Sequence, residues 1–107
     1  ALAVKNRGSL RLEQARWELL TNGDGKQSLA QALSDFRSVA STVPDDSEVH
    51  VFLASAYLLE TRLRGRQAAA VRESIELART SLARGRAIEP TNPWIRVIER
   101  DVAASRN

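Results

Sequence analysis

Apolar side chains recur along this chain with a helical beat. From Val71 they fall at Val71, Ile75, Ala78 and Leu82, spacings of four, three and four that set them on one side of a helix. Leu29, Ala32, Phe36, Val39 and Val43 draw the same stripe earlier. Strand-like alternation is absent, and Ala, Leu, Arg, Glu and Gln, all good helix formers, dominate. Breaks stand at Asn22-Gly23-Asp24-Gly25, Pro44-Asp45-Asp46 and Pro90-Thr91-Asn92-Pro93, with a weaker one at Gly65. Glycine takes the left-handed conformation that ends a helix, while Asp or Asn caps the next. The pattern predicts five helices, roughly Ser9 to Asn22, Lys26 to Thr42, Ser47 to Arg64, Ala68 to Glu89 and Pro93 to Ser105. Their connections are short, so neighbours are expected to pack antiparallel.

Laying the chain on itself exposes a repeat at a constant offset of 46 residues. Ser28-Leu29 falls on Ser74-Ile75, Ala32 on Ala78, Phe36 on Leu82, Pro44 on Pro90, Asp46 on Asn92, Val49 on Ile95 and Phe52 on Ile98, without a gap. Such recurrence is the mark of stacked helical units. A glycine-bearing turn precedes each opening at a different distance, so the second unit is expected to carry a longer first helix or loop.

The spacing resembles the tetratricopeptide repeat. Ala32, Phe36, Val39 and Pro44 fill the small, bulky, small and proline positions of that family's second helix. Leu53, Ala54 and Tyr57 fill the leucine, small and tyrosine positions of the following first helix, and Ala78, Leu82, Gly85 and Pro90 offer a second set. Glu99, Arg100 and Ala103 then depart from the pattern, as in a polar terminal cap or a longer array cut short. The period also exceeds the family's usual ~34. The resemblance implies an all-α fold of about five antiparallel helices, forming roughly two and a half hairpins in a short right-handed solenoid. Its units are expected over about residues 9–46 and 47–92, with a terminal helix over 93–105. A narrower similarity, in the serine-leucine opening, the alanine-rich second helix and the closing proline before Asp or Asn, is to the repeats that follow the catalytic domain of bacterial serine/threonine protein kinases of eukaryotic type. It implies a non-catalytic regulatory or scaffold region of an ATP-using parent.

Composition narrows the chemistry. The 107 residues fit one domain, and 43% hydrophobic content suffices for a modest core. Without cysteine there is no disulfide framework or thiolate metal site, which leans towards a cytoplasmic setting. The absence of methionine is expected of an excised or processed piece of a longer protein. The longest nearly apolar run, Val51 to Leu59, falls far short of the roughly 20 residues that cross a bilayer, so no membrane span is expected. Fourteen of sixteen basic residues are arginines, so the pI near 10.2 overstates a net charge of only +3. Most of these arginines alternate with acids, as on a solvated helix surface. Arg62, Arg64, Arg66 and Arg72 form a basic cluster, and nucleic-acid binding through its phosphates is the rival reading, disfavoured because the net charge is small and no aromatic is interleaved with them.

Catalytic signals fail one by one. Gly23-Asp24-Gly25-Lys26-Gln27 lacks the first glycine and the hydroxyl of a phosphate loop. His50 is the single histidine, expected at or near the surface, and with Asp45, Asp46 and Glu48 it makes neither a metal set nor an acid/base pair. No catalytic residue, cofactor or metal is expected. A binding surface remains, with another protein, a peptide or another domain of the parent as the expected partner. The resemblance implies that first helices line the concave side, at Glu48, Val51, Ser55, Leu58 and Leu59 in the third helix and Trp94, Val97 and Asp101 in the fifth. Trp94 either anchors a partner there or packs on the preceding helix, and Trp17 carries the same choice. Trp94 and Val97 also begin a second apolar stripe beside Ile95, Ile98 and Val102, through which the terminal helix is expected to self-associate if no further helix covers it.

Overall fold

A computed structural model describes residues 1–21, 23–65 and 67–105. Among these the chain is all-α, with five helices: α1 Leu2–Leu20, α2 Lys26–Thr42, α3 Ser47–Arg64, α4 Ala68–Ile88 and α5 Trp94–Ser105. Four of the five predicted helices are placed to within a residue at each end. The exception is the start of α1, which lies seven residues ahead of the predicted Ser9; its predicted end, Asn22, lies outside the described residues. Gly8 does not break the helix, because the preceding turns are held from outside. Val4 packs on the core, Lys5 reaches Asp46 and Glu48 on α3, and Arg7 reaches Asp35 on α2. Those contacts outweigh the ~1 kcal/mol that glycine costs a helix interior.

Local chemistry sets the junctions. Gly25 (φ 67°) and Gly65 (φ 57°) take the positive φ that other residues resist, and so turn the chain before α2 and after α3. Asp46 caps α3 by accepting from the Glu48 and Val49 amides, and Asn92, 46 residues later, accepts from the Trp94 amide at 3.0 Å. The extra length of the second unit lies not in its first helix but at the start of α4, which has 21 residues against 17 in α2.

The helices pack as neighbours in sequence: α1 with α2, α3 with α4, α2 with α3 and α4 with α5, while α3 also touches α1 and α5. Among the described residues α1 reaches neither α4 nor α5, and α2 reaches neither of them. The core follows the repeat. Leu29 and Ile75, Ala32 and Ala78, Phe36 and Leu82, and Val49 and Ile95 are all buried in matching places. Even the polar openings match. Ser28 donates to Glu18, and Ser74 donates to Glu60 at 2.9 Å, so each buried hydroxyl is satisfied by a glutamate from the first helix of its own hairpin. No helix is long and apolar enough to cross a membrane among the described residues.

Candidate partner-binding groove

The first helices of the units lie side by side and run the same way. Lys5 of α1 meets Asp46 and Glu48 at the start of α3, and Arg16, further along α1, meets Ser55, further along α3. Beyond that point α1, α3 and α5 enclose a groove of about 380 Å³. Arg16 and Leu20 form its α1 wall, Ser55, Leu58, Leu59 and Arg62 its α3 floor, and Asp101, Ala104 and Ser105 its α5 wall. These positions recur at helical spacing, so each helix offers one stripe to the opening. The groove is mixed in chemistry, with leucines at its base and both signs of charge around it.

The predicted site residues fare differently. Ser55, Leu58, Leu59 and Asp101 are brought together in the groove. Val51 is not available: it is 4% exposed, and its methyl group faces Gly85 of α4, so it holds the α3–α4 hairpin together instead. Glu48 is exposed but lies away from the groove, paired with Lys5 at 2.8 Å. Trp94 and Val97 are 60% and 44% exposed on the same side of α5 as Asp101, at the end of the helix away from the groove wall. The α1 contribution was missed, because the resemblance was carried onto the third and fifth helices alone, although Arg16 and Leu20 stand one helical turn apart on α1 as Ser55 and Leu59 do on α3. Arg62 enters the groove as well, having been read only as part of a basic cluster.

Two electrostatic ties position α1 beside this groove. Burial lowers the Lys5 pKa, but hydrogen bonds to Glu48 and Asp46, with their charges, outweigh it and hold the ammonium above its ordinary range. On the other side of α1, Asp35 is buried and accepts from Arg7 Nε at 3.2 Å, Arg7 Nη2 at 2.8 Å and Arg11 Nη1 at 3.0 Å. The Asp35 hydrogen bond, followed by its charge, raises the Arg7 pKa. This buried carboxylate therefore fixes the α1–α2 angle with both guanidinium groups still reaching solvent.

The rival cluster is partly consumed by the fold. Arg64 pairs with Glu60 and Glu73, each at 3.6 Å, and donates to the Ala70 carbonyl at 2.9 Å. Arg66 lies outside the described residues. His50 is buried rather than near the surface. Its Nε2 lies 2.9 Å from the Pro44 carbonyl, which can only accept, so the proton sits on Nε2 and the ring secures the α2–α3 turn. Among the described residues no three His, Cys, Asp or Glu side chains gather as a metal set would require.

Fold and site together define an all-α stack of antiparallel helix pairs with a groove across its first helices. No protein-family model matches the chain, and no curated protein or solved structure matches it either.

Proposed function

We propose that this chain is a non-catalytic binding module of the tetratricopeptide kind, and that the groove between α1, α3 and α5 holds an extended segment of a partner protein. The observation that carries this reading is the parallel array of first helices, each giving one stripe of side chains to a common opening. Leu58 and Leu20 supply apolar contact, while Arg16, Arg62 and Asp101 give polar selection along the walls. The resemblance to repeats of bacterial serine/threonine kinases makes a regulatory or scaffold role beside such a catalytic domain the fitting context. Nucleic-acid binding by the arginine cluster is the weaker reading, because Arg64 is already engaged by two carboxylates.

Selection of peptides from a random display library on the intact chain tests the groove. Ligands are expected that lose at least about tenfold in affinity with Leu58→Glu and with Arg62→Glu, and are indifferent to Gln31→Ala on the exposed side of α2. Ligands insensitive to both groove changes, in chains with unchanged helix content, would overturn it.

A further inference from the structure

The two units differ where the second helix of each meets the first helix that follows it. In the first unit the ring of Tyr57 on α3 lies against Arg37 on α2: Arg37 Nε donates to Tyr57 Oη at 3.2 Å, and the guanidinium carbon stands 5.5 Å from the ring centroid. Tyr57 is 6% exposed, so the pair closes the seam between those two helices. At the 46-residue offset Tyr57 falls on Ala103 and Arg37 falls on Ala83. Both members of the pair are cut back to methyl groups, and both alanines are exposed and line a cleft of about 340 Å³ between α4 and α5.

The floor of the cleft is not cut back. Leu82 and Val102 stand where the first unit has Phe36 and Ala56, a larger and a smaller buried side chain exchanged for two of middle size. The rim has changed in polarity instead. Leu33 and Leu53, both buried in the first unit, give way to Arg79 and Glu99, and Ala40 gives way to Arg86. Arg79 and Arg86 lie four residues before and three after Ala83, on the same side of α4. They therefore flank the place that Arg37 holds in the first unit. The seam that a tyrosine and leucines close there is open and charge-rimmed here.

We propose that this cleft is a docking site for a tyrosine side chain carried by a partner protein, seated as Tyr57 is seated against α2. Leu82 and Val102 take the ring, and Arg79 or Arg86 donates to the phenol oxygen in the part of Arg37. The ring it takes is a neutral one. Arg79 pairs with Glu76 at 2.9 Å, and Arg86 pairs with Glu99 across the two helices, so each has N–H groups to share but no uncompensated charge with which to hold a phosphate. The cleft has no residue in common with the groove between α1, α3 and α5, and the proposal does not rest on that reading.

Ala103→Tyr in the intact chain supplies the ring from within. It is expected to raise the melting temperature by about 4 °C or more, whereas Gln31→Tyr on the exposed side of α2 leaves it unchanged. N-acetyltyrosinamide serves as the probe for the partner's residue. Titrated into the parent chain, it is expected to shift the amide resonances of Ala83 and Ala103 with a dissociation constant of roughly 10 mM. That affinity is expected to fall at least about tenfold in Ala103→Tyr and to be kept in Gln31→Tyr. The phenylalanine analogue is expected to bind about threefold more weakly, for want of the hydrogen bond, and the phosphotyrosine analogue more weakly still. No shift at these residues up to about 100 mM probe would overturn the proposal, as would a phosphotyrosine or phenylalanine analogue that binds best. An Ala103→Tyr chain that is no more stable than the parent, or that still binds the probe, would overturn it equally.

Discussion

The two complete hairpins share a second helix and differ in how they hold the first. In α1–α2 the buried bulky residue is Phe36, and α1 makes room for it with Gly8. In α3–α4 the counterpart is the smaller Leu82, and the glycine has moved to the other helix, as Gly85 against Ser47, His50 and Val51. Asp35 ties α1 to α2 through two arginines, whereas its counterpart in α4 is Ser81. The serine–glutamate contact spans 10 residues in the first hairpin and 14 in the second, so the second runs about one helical turn further beyond it. What recurs unchanged is the second helix with its closing turn and cap. The first helix is adjusted around it, by aromatic packing and charge in one unit and by aliphatic packing in the other.

The largest effect expected to break that comparison is at the bulky position. Phe36 is fully buried in the hydrophobic core, its ring between Gly8 and Phe52. Phe36→Ala is expected to cost about 3–5 kcal/mol and to lower the melting temperature by about 15 °C or more. Leu82→Ala removes fewer contacts beside a shallow cleft shared with α5, so its cost is expected nearer 2–3 kcal/mol. Equal losses in thermal unfolding would show that the two hairpins are energetically the same.

The glycines sharpen the contrast in sign. A Cβ at Gly8 would stand 2.8 Å from the Phe36 ring, which is locked in the core, so Gly8→Ala is expected to destabilise by about 1–2 kcal/mol even after its gain in helix propensity. A Cβ at Gly85 would meet Val51 at 3.4 Å, close to ordinary contact. Gly85→Ala is therefore expected to be neutral or to stabilise by up to about 1 kcal/mol. Urea midpoints that move in the same direction would refute the assignment of tight packing to the first hairpin alone.

Helix existence was legible because each α2 and α4 stripe keeps one period from opening serine to closing proline. The start of α1 was not, since its first two turns are stabilised from a distance, by Lys5 on Asp46 and Arg7 on Asp35, across 41 and 28 residues. A local pattern carries no trace of such partners, and Gly8 reads as a weak point until Phe36 is seen against it. The same reason explains the groove. Ser55, Leu58, Leu59 and Asp101 were implied by the resemblance to the tetratricopeptide repeat, as was Val51, and only the close approach of Gly85 assigns Val51 to the core. Arg16 and Leu20 lie within the predicted first helix, Ser9 to Asn22, but the repeat positions were carried only onto the third and fifth helices, so the α1 wall went unread.

Charge separates the hairpins by a smaller amount. Asp35→Asn keeps the shape but turns one acceptor oxygen into an amide donor, so at least one of the three hydrogen bonds is lost and the others lose their ionic part. The expected loss is about 1–2 kcal/mol, limited because Arg7 and Arg11 keep access to water once the carboxylate is gone. Ser81→Ala, the matching change in α4, is expected to fall within about 0.5 kcal/mol of the parent. A Ser81 effect as large as that of Asp35 in chemical denaturation would mean that the buried acid has no special part in setting α1 against α2.

The smallest expected effect separates the two ties between first helices. Lys5 joins α1 to α3 by ion pairs, while the start of α3 meets the cap of α5 through a neutral bond from Asn92 to Ser47 at 3.4 Å. Because the folded pKa of Lys5 lies above the ordinary 10.5, its contribution is fully present below that value and is lost as pH rises through the folded one. Lys5→Gln is therefore expected to cost about 0.5–1 kcal/mol near neutrality, a modest figure for an ion pair at the rim, and to match the parent once the amine is deprotonated. Asn92→Ala removes a helix cap and is expected to cost about 1 kcal/mol at every pH, since nothing in that contact titrates. Urea unfolding of the three chains at about pH 8 and again well above 10.5 reads both expectations. A Lys5→Gln deficit that persists at high pH would show that the aliphatic stem, packed between the helices, holds α1 in place rather than its charge.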